Sequence, residues 1–175
     1  MITIQFIRHA VTDIKGRGYL ATDQDIPLND VGIKSCIENK FDRESFDKVY
    51  ASPTKRTIQT AELLYPYVPV EVSELISQKK WGVVTNHFKN EFDEKTISAI
   101  RNYLITPKDA ESLDDVLKRL NTFFDMIKKN NKDNIKILVV THNGILRIIK
   151  KFFLNTDSYE ETNNLNGFIM KINKN

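Results

Sequence analysis

Little in this chain could hold it together other than a packed core. It has one cysteine, Cys36, which excludes a disulfide framework and a cysteine-built zinc site. Its three histidines show no paired metal-ligand spacing, so no metal is expected. No apolar run approaches the roughly 18 residues that a membrane span needs. The opening Met1-Ile2-Thr3-Ile4-Gln5-Phe6-Ile7 lacks the basic start and small-residue cleavage site of a signal peptide. Neither sign of charge dominates: 26 Lys and Arg face 23 Asp and Glu. A nucleic-acid partner would need a concentrated basic stripe with aromatics for stacking. Here the short runs Lys79-Lys80, Lys128-Lys129 and Lys150-Lys151 read as solvated helix faces. Internal repeats, Pro/Ser linkers and low-complexity tracts are missing too.

What is present is ordinary globular material: 175 residues, 41% hydrophobic and 28% charged. That length suits one domain over residues 1–175, large enough to bury a core unaided. A cytoplasmic protein with no membrane or nucleic-acid partner is the expectation, and monomer and homodimer both stay open.

Ile2 to Ile7 is apolar and β-branched and reads as a strand. A polar loop follows from Thr12 to Asp25, and Asn29 then caps a helix. Asp47 to Ala51 is a second strand. Ser52-Pro53 predicts the next helix start, a capping serine with proline at the first helical position, running to about Leu64. Val70-Glu71-Val72 suggests a short strand and Asp93 to Leu104 a helix. From Ser112, apolar residues at 113, 116, 117, 120, 123, 124 and 127 line one helix face. Ile137-Leu138-Val139-Val140, within a strand from Ile135 to Thr141, reads as covered on both sides. A helix over Gly144 to Phe153 and an edge strand over Gly167 to Ile172 complete the pattern. This alternation predicts an α/β fold, a three-layer α/β/α sandwich with a mainly parallel sheet and an antiparallel edge strand.

In such sheets, sites form at the carboxyl ends of strands. The first strand ends in Arg8-His9, the second feeds a helix bearing Arg56, and the buried strand ends in Thr141-His142. Arg56 sits in a first turn, where a cation opposes the helix dipole at a cost of about 0.3–1 kcal/mol. An anion held by the guanidinium and the free N–H groups explains that placement. The plain alternatives are an Arg56 ion pair to Glu62 or Asp47, and histidines satisfied in the core.

Four ordered segments carry a resemblance. Ile7-Arg8-His9-Ala10-Val11-Thr12 resembles the R-H-G-x-T signature of the histidine phosphatase superfamily (branch 1), the phosphoglycerate mutase-like proteins. Asp25-Ile26-Pro27-Leu28-Asn29-Asp30-Val31-Gly32 is similar to its D-x-P-L-T-x-x-G element. Ser52-Pro53-Thr54-Lys55-Arg56-Thr57-Ile58-Gln59-Thr60-Ala61 is similar to its S-P-x-x-R-x-x-Q-T-A helix. Val139-Val140-Thr141-His142-Asn143-Gly144 resembles its V-V-S/T-H-G-G turn, and Glu111-Ser112 fits its G-E-S element with Ala110 in place of glycine. The resemblance fades from about Gln78 to Lys108, a short variable cap segment.

The resemblance implies a metal-independent phosphomonoester hydrolase without a cofactor, acting on a small phosphorylated metabolite. His9 would be the nucleophile, since a neutral imidazole already carries a reactive lone pair. Arg8, Arg56 and His142 would hold the phosphoryl oxygens, with His142 protonated beside the dianion. Thr12, Asn143 and Lys15 would add substrate contacts, Lys15 standing where many members have asparagine. Val72-Ser73-Glu74-Leu75 fits the start of the family's L-x-E-x-x-x-G-x-W-E-G, which makes Glu74 the proton donor, with Glu71 as fallback. Gln78 replaces the glycine there, Trp81-Gly82 is displaced, and Ala10 adds a methyl where phosphate would approach. These departures keep two alternatives: a phosphohistidine phosphatase, whose better leaving group needs no acid, and a weakly catalytic phosphate-binding module. A short cap disfavours mutase action, which must shield the phosphoenzyme from water. Lys79, Lys80, Lys89 and Arg101 either recruit a second acidic group of the substrate or, more simply, are solvated.

Overall fold

Ile137-Leu138-Val139-Val140 lies in the middle strand of a five-stranded sheet ordered β3-β2-β4-β1-β5. The computed structural model describes residues 1–13, 18–156 and 162–173. The strands are β1 (Ile2–Arg8), β2 (Lys48–Ala51), β3 (Val70–Val72), β4 (Lys136–Thr141) and β5 (Gly167–Ile172). All pair in parallel except β5, which runs antiparallel beside β1. The helices are α1 (Asp30–Glu38), α2 (Lys55–Leu64), α3 (Glu94–Arg101), α4 (Leu113–Asn130) and α5 (Asn143–Phe153).

The side chains of β4 explain its unbroken apolar run. Ile137 and Val139 pack with Val116, Leu120 and Phe123 of α4 and with Ile145 and Ile149 of α5. Leu138 and Val140 point the other way, into a cluster with Cys36 of α1 and Ala61 and Leu64 of α2. Period-two alternation thus feeds two cores, one on each face, and the three layers follow. Each fully buried Leu, Ile or Phe contributes about 1.5–3 kcal/mol. Among the described residues, no helix is long and apolar enough to cross a membrane.

Two helix starts differ in kind. Asn29 caps α1 as its residue type dictates, its side-chain oxygen accepting from Gly32 N at 2.9 Å. At α2 the expected Ser52 cap is corrected: Thr54 is the N-cap residue and the helix begins at Lys55. Asp25 does the capping from a distant segment, accepting from Lys55 N at 2.7 Å. Ser52 is thereby released for another partner. The helix expected to reach Leu104 stops earlier, with Tyr103 at φ 61°.

The motifs interlock, which accounts for their spacing. Gln59 of α2 accepts from Leu28 N at 2.8 Å, tying the Pro27-Leu28 turn to the Arg56 helix. A Cβ on Gly32 would stand 2.3 Å from the Val11 carbonyl oxygen, so only glycine lets α1 close on the loop after His9. Residues 78–108 form two 3₁₀ turns, Gly82–Val84 and Lys89–Glu91, and then α3.

Candidate active site

Arg8 ends β1 and His9 follows it, so the strand delivers both to the carboxyl edge of the sheet. β4 delivers His142 to the same edge, and the rings of His9 and His142 meet edge to face with centroids 5.3 Å apart. His9 Nδ1 lies 2.7 Å from the Ala10 carbonyl oxygen. A carbonyl only accepts, so Nδ1 carries the proton and Nε2 keeps its lone pair. The carbonyl of His9 itself accepts from Asn164 Nδ2 at 2.7 Å, which pins the backbone beneath the ring.

Burial is the largest influence on His9, and the charges of Arg56 and Arg8 add to it, outweighing the Ala10 hydrogen bond and lowering the pKa to about 3. His9 is therefore neutral at pH 7, the state in which an imidazole can act as a nucleophile. His142 is also held well below the usual imidazole range, first by burial and then by His9, Arg56, Arg8 and Arg119. Among its protein neighbours it is neutral, and the imidazolium expected from the sequence requires the added negative charge of a phosphoryl group. Ser52 Oγ stands 2.7 Å from His142 Nε2, both side chains being buried. This is the use to which the displaced cap is put.

Arg56 is 5% exposed and pairs with neither Glu62 nor Asp47. Its guanidinium donates to the Gln24 carbonyl at 3.1 Å and to Gln78 Oε1 at 2.8 Å, and Gln78 Nε2 donates to the Thr22 carbonyl at 3.0 Å. Arg8 Nη1 donates to the Thr162 carbonyl at 2.6 Å. Asn143 Oδ1 accepts from Thr162 N at 2.9 Å.

Arg8 and His9 face two adjoining cavities. One, of about 210 Å³, is also lined by His142, Asn143, Lys79 and Tyr103. The other, of about 140 Å³, is lined by Thr12, Arg56, Gln78 and Asn164. Of the substrate contacts expected from the sequence, Arg8, Arg56, Thr12 and Asn143 converge here, and Lys15 lies outside the described residues. Glu74 does not line either cavity. It is exposed, in the 3₁₀ turn Glu74–Ile76, and lines a third cavity with Arg56 and Gln78. Gln78 lines all three cavities.

Ala10 is fully buried and packs with Cys36 and Ala61 in the α1/α2 core. Several residues escaped the motif reading. By residue type Ser52 reads as a cap and Gln78 only as a substituted glycine. Arg119 of α4 binds Glu111 at 2.7 Å and donates to the Leu75 and Ser77 carbonyls at 2.8 and 2.9 Å, fixing the turn that bears Glu74. No residue pattern announces that clamp. His87 is half-exposed and bonded to Glu91 at 2.7 Å, away from the site. Among the described residues, no three His, Cys, Asp or Glu cluster as metal ligands.

Comparison with known proteins follows the same lines. The chain is 29% identical over 159 residues to the metal-independent phosphoserine phosphatase of Arabidopsis thaliana, covering 83% of this chain and 66% of that protein. It is 26% identical over 168 residues to 6-phosphofructo-2-kinase/fructose-2,6-bisphosphatase 1 of Homo sapiens, covering 90% of this chain and 34% of that protein. The chain therefore spans about a third of the length of the bifunctional relatives, 34% in the human case. Bacillus stearothermophilus YhfR shares the fold, with a TM-score of 0.86 at 19% identity over 99% of this chain and 92% of that one. So does a phosphoserine phosphatase mutant from Entamoeba histolytica in complex with phosphoserine, with a TM-score of 0.79 at 21% identity over 97% and 89%. The profile of the histidine phosphatase superfamily (branch 1) matches residues 4–167. With its four motifs in family order and that match running almost end to end, the chain belongs to the histidine phosphatase superfamily, branch 1.

Proposed function

We propose that this chain is a metal-independent phosphomonoesterase that passes the phosphoryl group of a small metabolite through His9. One observation carries the reading: a neutral imidazole, its Nδ1 proton fixed on Ala10, opens onto cavities lined by Arg8, Arg56 and His142. Nε2 attacks phosphorus along the line of the ester bond. A P–N bond forms, the P–O ester bond breaks, and the electron pair leaves on the alkoxide. Arg8, Arg56 and His142 neutralise charge on the three equatorial oxygens of a loose transition state, while Thr12 and Asn143 orient them. Water then attacks phosphorus, the P–N bond breaks, and inorganic phosphate leaves with His9 restored.

The leaving alkoxide takes a proton. In this reading Glu74 supplies it, reaching in from the cavity it lines with Arg56 and Gln78, and afterwards receives the proton of the attacking water. Residues 1–175 act as one unit with residues 78–108 as cap. The single cysteine, buried at position 36, suits a reducing compartment, and we place the reaction in the cytoplasm as part of the same proposal.

The position of Glu74 favours a second reading. An exposed acid that lines neither of the His9 cavities matters less when the leaving group is itself good, as the imidazole of a phosphohistidine is. Glu74→Gln distinguishes the two. A donor role lowers kcat for an alkyl phosphate far more than for p-nitrophenyl phosphate, whereas equal effects remove Glu74 from the chemistry.

The main test is hydrolysis of p-nitrophenyl phosphate in the presence of a chelator by wild type and His9→Ala. The reading requires turnover by wild type and a loss of at least about a thousandfold in the variant, the scale of removing a nucleophile. Turnover that survives in His9→Ala refutes it. No turnover in either, with vanadate still bound, would instead identify a phosphate-binding module.

A further inference from the structure

Lys79 is the one residue of the larger His9 cavity whose surroundings make no sense for a solvated lysine. It is 3% exposed, and among the described residues its ammonium has no hydrogen-bond partner. Instead Nζ stands 4.7 Å from the centroid of the Tyr103 ring and 5.2 Å from that of Trp81. Glu111 is the nearby carboxylate, but both of its oxygens are engaged by Arg119, at 2.7 and 3.2 Å. A buried ammonium without an anion is costly, and two ring faces offset only part of that cost. Lys79, Trp81 and Tyr103 all line the cavity that holds Arg8, His9 and His142, and Arg101 and Arg147 add positive charge to its wall.

On the reading of a phosphatase centred on His9, we infer that Lys79 is a specificity-determining residue that leaves its aromatic sheath to bind a second anionic group, a carboxylate, on a short phosphate ester. The phosphoryl group occupies the end formed by Arg8, His9 and His142. The carboxylate reaches the end formed by Lys79, where the flexible four-carbon stem lets a compact point charge swing onto it. At about 210 Å³ the cavity is below the roughly 300–1,000 Å³ of sites for drug-sized ligands, which suits a chain of a few carbons. Lys79 lies outside the motif elements proposed to hold the phosphoryl group, so its substitution separates recognition of the second group from the chemistry.

Trp81 is the only tryptophan, and its fluorescence reports directly on an ammonium departing from its ring. The test titrates wild type, Lys79→Met and Lys79→Arg with 3-phosphoglycerate and with glycerol 3-phosphate, which differ by a carboxylate in place of a hydroxymethyl group. Wild type is expected to bind the carboxylate ester about tenfold tighter or more, the scale of one charge-assisted hydrogen bond, with a change in Trp81 emission. Lys79→Met is expected to lose about tenfold in that ratio, and Lys79→Arg to keep the larger part of it. A wild type without preference overturns the inference even if Lys79→Met fails to fold. So does a Lys79→Met variant whose affinities for both esters fall by one common factor, which would mark a structural or chemical role. Selective binding without turnover of either ester upholds Lys79 and removes the phosphatase reading, so the two fail separately.

Discussion

Replacing Ser52 by alanine takes away a single oxygen, the one 2.7 Å from His142 Nε2. Ser52 is fully buried and His142 is 4% exposed, so no water replaces it. When a phosphoryl group charges His142, its Nε2–H is left without an acceptor at the moment the ring must be cationic. A hydrogen bond to a charged group is worth about 1.5–3 kcal/mol, which corresponds to a loss of about 10- to 150-fold in kcat/KM. The neutral ring of the resting protein loses an ordinary bond, about 1 kcal/mol of stability, or about 2–4 °C in Tm for a chain of this length. Catalysis should therefore suffer more than folding. The assay is kcat/KM for p-nitrophenyl phosphate beside Tm by circular dichroism, with Ser52→Thr as the variant that keeps the hydroxyl. A Ser52→Ala enzyme within twofold of wild type would show that His142 does not rely on Ser52 when charged, and would refute the reasoning.

Gly32→Ala should destabilise by about 1–3 kcal/mol, the usual cost of overpacking, because its Cβ would meet the Val11 carbonyl oxygen at 2.3 Å; a Tm equal to wild type would contradict this. Stability should fall with acidification from about pH 6.5, the ordinary imidazole value, down towards about 3 for His9. In that window the unfolded chain binds a proton that folded His9 refuses, so the contribution is complete above the window and is lost as pH falls through it, at no more than about 1.4 kcal/mol per pH unit. Urea melts of wild type and His9→Ala at pH 7.5 and 5.5 should show a smaller acid loss in the variant, and equal losses would count against a buried neutral His9. Gln78→Ala should raise KM for phosphate esters by removing the partner of Arg56 Nη2, and an unchanged KM would show that Arg56 is aimed without it.

The sheet was legible because each strand declared its environment. The unbroken apolar run of β4 announced two covered faces, and Gly167 to Ile172 announced an edge. The convergence of Arg8, His9, Arg56 and His142 was legible because they sit in motifs anchored to strand ends and a helix start. What was hidden depends on long-range geometry. Capping of α2 by Asp25, some thirty residues away, leaves no local trace, and a serine before a proline reads as a cap whether or not its hydroxyl turns to a histidine. Gln78 and Lys79 lie where the family pattern breaks, and residue type alone does not tell a sheathed ammonium from a solvated one. Only packing against Trp81 and Tyr103 separates them.

The central claim is that His9 Nε2 carries the phosphoryl group between substrate and water. Mixing the enzyme with excess p-nitrophenyl phosphate, quenching in alkali within milliseconds and mapping the modified peptide by mass spectrometry tests it directly. The account expects close to one phosphoryl group per chain, acid-labile and located on position 9, with none on His9→Ala. Full turnover without any covalent adduct, or an adduct on another residue, would contradict it.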